Sequence, residues 1–182
     1  MAGLVPELTV TNFVFRRSGG NGRLLTGLIW HARLGGWLPR GGHVEPGETL
    51  DRAAQRETEE ELGCRTRFLP SAALPLPAGF PHQPGAAPWW VIEMSATADS
   101  HTPARHRHQD HVFVSCWLED AGQPETDVTW LSEPETASFA GLSQDSRPPE
   151  EWVAPPADRL LPGAMSAASL LPAPSGQTSR CV

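Results

Sequence analysis

The stretch from Gly41 to Cys64, GGHVEPGETLDRAAQRETEEELGC, constrains this chain more than any other. Glu57, Glu60 and Glu61 stand at positions i, i+3 and i+4, which share one face of a helix. Carboxylates crowded on one face repel each other, and a chain that keeps them together usually does so around a divalent cation. Pro46-Gly47 turns the chain and Thr49 suits an N-cap, so the helix is expected from about Leu50 to Leu62, with Gly63 as its stop. Leu50, Ala54, Thr58 and Leu62 make its inward stripe. Arg56 and Glu60 are four apart and can pair. A solvated acidic face would explain the glutamates alone, but not the glycine loop at fixed spacing before them.

The run from Gly42 to Thr49 also has the spacing of a phosphate-binding P-loop, G-x4-G-K-[ST]. That loop needs a lysine to reach the terminal phosphates. Here Glu48 holds the position, and the chain contains no lysine.

The full pattern, G-x5-E-x7-R-E-x-x-E-E-x-G, resembles the signature box of the Nudix hydrolases. All its fixed positions are present: Gly42, Glu48, Arg56, Glu57, Glu60, Glu61 and Gly63. Thr58 and Cys64 stand where the family prefers aliphatic residues, and a buried Thr58 needs a partner for its hydroxyl. The run from Trp37 to His43 is similar to the segment that enters the box in the family. The resemblance implies an α+β fold, a mixed β-sheet sandwiched between α-helices. It implies hydrolysis of a nucleoside diphosphate linked to another moiety, with Mg²⁺ or Mn²⁺ as cofactor. Glu57, Glu60 and Glu61 match the metal ligands, and a carbonyl of Gly41 or Gly42 could add another. Arg56 would orient the glutamates and Glu48 would support the loop. The general base is open among Glu57, Glu61 and an acid outside the box. A Nudix-like module that binds a nucleotide without cleaving it is the alternative; such modules often have eroded boxes.

Around the box, Leu8–Arg17 and Arg23–His31 read as two strands joined by a Ser18–Gly22 turn. Ala32–Gly36 reads as another turn. Strands are expected at Arg65–Leu69, Trp89–Ala96, Asp110–Glu119 and Asp127–Leu131, with a short helix starting at Ser132. Val112, Val114, Cys116 and Leu118 are expected on one face of their strand. Ser71–Pro88 is a Pro-, Ala- and Gly-rich loop. The composition changes near Leu142, so the expected organisation is one hydrolase domain over 1–141 and a Pro/Ala-rich, largely irregular tail over 142–182. Trp152 and Leu160-Leu161 are candidates to pack back on the domain.

Outside the box, Arg40 beside the glycines is the best candidate for phosphate contact. His106, His108 and Asp110 alternate along an extended chain and would point to one side. A zinc site, a phosphate contact or extra magnesium ligand at Asp110, and a plain solvated loop are the alternatives there. The candidate substrate contacts are Arg40, Gly41, Gly42 and Asp110.

The formal net charge of -7 is a poor match to nucleic-acid polymers or anionic membranes. Three separated cysteines give neither a disulfide framework nor a C-x-x-C pair. No leader and no membrane-length apolar run is read. A cytoplasmic protein, monomer or homodimer, acting on a small nucleotide-type molecule is the expectation.

Overall fold

The computed structural model describes residues 6–20, 22–31, 36–71, 76–81, 83–139, 163–166 and 168. In chain order its elements are β1 (Glu7–Arg17), β2 (Leu24–His31), β3 (Gly36–Leu38), β4 (Arg40–His43), α1 (Leu50–Leu62), β5 (Cys64–Phe68), β6 (Trp90–Ala96), β7 (His106–Asp120), β8 (Val128–Ser132) and α2 (Glu133–Phe139). The strands form one mixed sheet with β1 and β7 parallel at its centre. Every other pairing is antiparallel: β2 and β4 against β1, β5 and β6 against β7, β3 and β8 against β2.

Period-two alternation sends successive residues of β1 to opposite faces. Val10 packs with Ala53, Ala54 and Phe113, and Val14 with Leu62 and Cys64, so this face of the sheet receives α1. Phe13 and Phe15 join Val112, Val114 and Cys116 on the other face. There they meet Ala164, Met165 and Ala168, which are buried and belong to helical residues of the C-terminal part. A sheet with helix on both faces is therefore observed. The rest of the expected tail, including Trp152 and Leu160-Leu161, and most of the Ala32–Gly36 turn lie outside the described residues.

Val112, Val114 and Cys116 share one face of β7 as expected, and from Asp110 to Cys116 every residue of the strand is buried, because β7 is central and covered on both faces. One expectation needs correction. Thr49 occupies the N-cap with extended backbone, but its hydroxyl makes no cap bond and donates to Asp51 instead. Gly63 ends α1 as expected: its φ of 64° is left-handed, and its N–H donates to the carbonyl of Glu59.

Thr58 finds the partners its burial demands. Its hydroxyl donates to the Ala54 carbonyl at 2.6 Å and accepts from Asn12 Nδ2 at 2.9 Å. Asn12 Oδ1 in turn accepts from Ser115 Oγ at 2.9 Å. All three side chains are fully buried, so this polar chain ties α1 to both central strands without an unsatisfied group. No helix among the described residues is long and apolar enough to cross a membrane.

Candidate active site

β4 lies against β1, with Gly41 opposite Thr11 and Gly42 opposite Val10. Both glycines are required by close approach. A Cβ on Gly41 would sit 2.0 Å from the Val10 carbonyl oxygen. One on Gly42 would sit 2.3 Å from a carboxylate oxygen of Glu57. α1 thus lays its glutamates directly on the glycine strand.

Arg56 organises the acids. Its Nε and Nη2 fork onto the two oxygens of Glu48, each at 3.1 Å. Nη1 donates to Glu57 at 2.6 Å and to Glu60 at 3.2 Å, and Nη2 also donates to the His43 carbonyl at 3.0 Å. Bidentate guanidinium pairing fixes direction as well as distance. These bonds hold Glu48 below its usual carboxylate range and raise Arg56 above its ordinary value, Glu48 being the main cause. Glu48 Oε2 also accepts from the Glu45 N–H at 3.2 Å, closing the turn before the helix.

Glu61 stands apart from this group. Its Oε1 is 3.0 Å from Arg40 Nη1, and its Oε2 accepts from the Gly41 N–H at 3.4 Å. Burial pushes its carboxyl up, and the Arg40 guanidinium works against that shift. Arg40, expected at a phosphate, is placed elsewhere. Its side chain is fully buried, paired with Glu61, and donates to the Thr126 hydroxyl. Its Nε has no hydrogen-bond partner among the described residues. A guanidinium with no exposed surface offers nothing to a phosphate unless Glu61 moves.

The cleft beside the glycines has a volume of about 370 Å³, within the usual range for a small-molecule site. Its walls are the apolar side chains of Ile29, Leu38, Ile92 and Met94, and Gly41, Gly42 and Glu61 border it. Asp110 also lines it, buried, with its two oxygens accepting from Thr9 Oγ1 at 3.0 Å and Thr11 Oγ1 at 2.8 Å. Burial pushes the Asp110 carboxyl up, partly offset by those two hydroxyls. The structure therefore gathers Glu48, Arg56, Glu57 and Glu60 into one network, sets Glu61 with Arg40 next to it, and places Asp110 in the cleft with Gly41 and Gly42. Thr9 and Thr11, which anchor Asp110, were not legible as site residues, because nothing local marks which strand will lie beside β7.

The donor set suits a hard divalent cation: three carboxylates and the carbonyls of a glycine strand on which Glu57 rests with no room for a Cβ. Glu57, Glu60 and Glu61 would hold it. Among the described residues these carboxylates do not converge on one point; arginines balance them, and a cation would draw them from those partners.

The family model of the NUDIX domain matches residues 6–155. Among solved structures, a NUDIX-family hydrolase from Clostridium perfringens superposes with a TM-score of 0.62 at 20% identity, covering 93% of this chain and 100% of that one. A structure described as a possible asymmetric diadenosine tetraphosphate hydrolase from Jonesia denitrificans has a TM-score of 0.57 at 20% identity, covering 93% and 99%. A NUDIX hydrolase from Nitrosomonas europaea has a TM-score of 0.50 at 18% identity, covering 91% and 89%. The chain belongs to the NUDIX family and, with the box complete, is a pyrophosphohydrolase of that family.

Proposed function

We propose that this enzyme, with Mg²⁺ or Mn²⁺, cleaves the pyrophosphate linkage of a nucleoside diphosphate joined to another moiety. The observation that carries the reading is the Arg56 network, which binds Glu48, Glu57 and Glu60 into one array beside the cleft. A cation held by Glu57, Glu60 and Glu61 would neutralise the diphosphate and lower the pKa of attacking water. The residues of the chain supply the positioning. Arg56 fixes the carboxylates, and Glu48 holds the turn. Gly41 and Gly42 let the Val10 backbone and the Glu57 carboxylate close in on the strand that borders the cleft. The apolar walls of the cleft suit a base or similar group, and Asp110 is one of the polar side chains that line it.

The general base stays open between the two box candidates: Glu61 borders the cleft and burial raises its carboxyl, but Arg40 pairs with it as Arg56 pairs with Glu57. The test is product release from a panel of nucleoside triphosphates, diphosphates, nucleotide sugars and dinucleotides, with Mg²⁺, Mn²⁺ or chelator. Cation-dependent cleavage of one class, lost in Glu60→Gln and Glu61→Gln, is expected. Undiminished turnover in both variants would sink the mechanism. Binding without cleavage under every metal would favour a nucleotide-sensing module.

A further inference from the structure

Where β1 and β7 begin and β4 ends, five side chains turn donor atoms toward one another. Glu7 opens β1, His43 closes β4, His106 and His108 open β7, and Asp99 comes from the loop before β7. His43 Nε2 is 3.1 Å from Glu7 Oε2 and 3.8 Å from Asp99 Oδ2. His106 Nε2 is 3.6 Å and 3.3 Å from the same two oxygens, and His108 Nε2 is 3.8 Å from Asp99 Oδ2. His106 Nε2 and His108 Nε2 face each other at 2.8 Å. The donor atoms of Glu7, His43, His106 and His108 all lie within 4.8 Å of one another.

The outer atoms of Glu7, Asp99 and His106 are pinned so that the inner ones face the cluster. Glu7 Oε1 accepts from the Thr102 hydroxyl, which leaves Oε2 facing the imidazoles. Asp99 Oδ1 accepts the backbone N–H groups of His101 and Thr102, each at 2.8 Å, which leaves Oδ2 inward. His106 Nδ1 lies 2.9 Å from the Ala104 carbonyl. A carbonyl only accepts, so Nδ1 donates there, and that bond aims Nε2 at the cluster. Orientation of a histidine by a carbonyl, and of carboxylates by outer hydrogen bonds, is the support that metal ligands show.

We infer that Glu7, His43, His106 and His108, with Asp99 as a further donor, form a site for a divalent transition metal of the zinc class. Three imidazoles with carboxylates select Zn²⁺ or Co²⁺ over Mg²⁺, which takes oxygen ligands. Metal–ligand bonds of about 2.0–2.1 Å place tetrahedral ligands roughly 3.3 Å apart, and the separations given above, from 2.8 to 3.8 Å, bracket that value. The competing occupant is a proton shared among the imidazoles. The site is separate from the box glutamates and does not depend on which substrate they cleave. The link is His43, whose ring joins the cluster while its carbonyl accepts from Arg56 at 3.0 Å. A metal here would tie the strand of Gly41 and Gly42 to the Asp99 loop, and Asp99 and His108 both line the cleft.

The test uses the full chain, stripped with chelator and reloaded with Zn²⁺ or Co²⁺. One tightly held ion per chain is expected by elemental analysis, with the visible absorption of four- or five-coordinate Co²⁺. X-ray absorption of the Zn²⁺-loaded wild type should show imidazole scattering, a readout that needs no variant. Affinity should fall at least about 100-fold in the His106→Ala/His108→Ala double variant and stay unchanged in Glu57→Gln/Glu60→Gln. If circular dichroism shows the double variant unfolded, His108→Gln alone should weaken binding at least about 10-fold. An all-oxygen first shell, no Zn²⁺ retained at micromolar concentration, or loss that follows the glutamate variants instead would overturn the proposal.

Discussion

Replacing Arg56 by lysine keeps the charge and removes the fork. The guanidinium contacts both oxygens of Glu48, both Glu57 and Glu60, and the His43 carbonyl, all between 2.6 and 3.2 Å. A lysine ammonium donates from one point and cannot span these partners. Hydrogen bonds to charged groups contribute about 1.5–3 kcal/mol each. The Arg56 side chain is 25% exposed, so the low end applies. Losing the Glu48 fork and the carbonyl bond, with partial recovery by the ammonium, should cost about 2 kcal/mol. For a chain of this size that is a fall in Tm of roughly 4–8 °C. The effect on turnover should be larger than the effect on folding. Carboxylates displaced by about 1 Å typically cost on the order of 100-fold in rate. Calorimetry and kcat/KM on the best substrate of the panel, at saturating cation, measure both. If Arg56→Lys kept kcat/KM within about threefold, well short of the loss expected from misplacement, and left Tm unmoved, the guanidinium would be only a counter-charge.

The two glycines should separate folding from function. Gly41→Ala drives a Cβ into the backbone carbonyl of Val10 and should destabilise by about 3 kcal/mol. The nearest atoms to a Cβ in Gly42→Ala are the movable end of Glu57, so Tm should change little while kcat falls; equal effects of the two on Tm would contradict this. Thr58→Val matches the family's aliphatic preference, yet here it strands buried Asn12 Nδ2 and should cost about 1–3 kcal/mol in urea unfolding. Adding Asn12→Leu should recover part of that loss, and strict additivity would remove the claimed coupling. Burial raises the folded-state pKa of Asp110 above 3.8. A raised carboxyl contributes stability that is full below the unfolded value and is lost as pH climbs through the folded one. Wild type should therefore lose stability relative to Asp110→Asn on raising the pH just above 3.8; parallel stability curves would refute the assignment.

Local chemistry made α1 and most strands readable. Leu50–Leu62 carries a helical stripe and ends at a glycine that adopts the left-handed conformation, so neither end depended on distant contacts. The box acids were readable for the same reason. Arg40 was not: its proximity to glycines suggested an anion, whereas the fold turns it under Glu61. The alternation of His106 and His108 was visible, but their partners Glu7, His43 and Asp99 come from three other segments. Their meeting depends on strand order, which periodicity does not encode. Burial of both faces of β7 is likewise a consequence of its central place.

The parallel pairing of β1 with β7 has a consequence for how the molecule is made. Glu7–Phe15 aligns with His108–Cys116, so the middle of the sheet joins stretches about a hundred residues apart in sequence. Contacts this remote form late, since a long loop must close first. On the ribosome, β1, β2, β4 and α1 would emerge while the strand that completes the centre is still unsynthesised. The box helix would then exist before its cleft does. Chains ended at residue 105 should accordingly be digested rapidly by protease, and those ended at 139 more slowly. A resistant core in the shorter chain would show that the sheet assembles without its central partner.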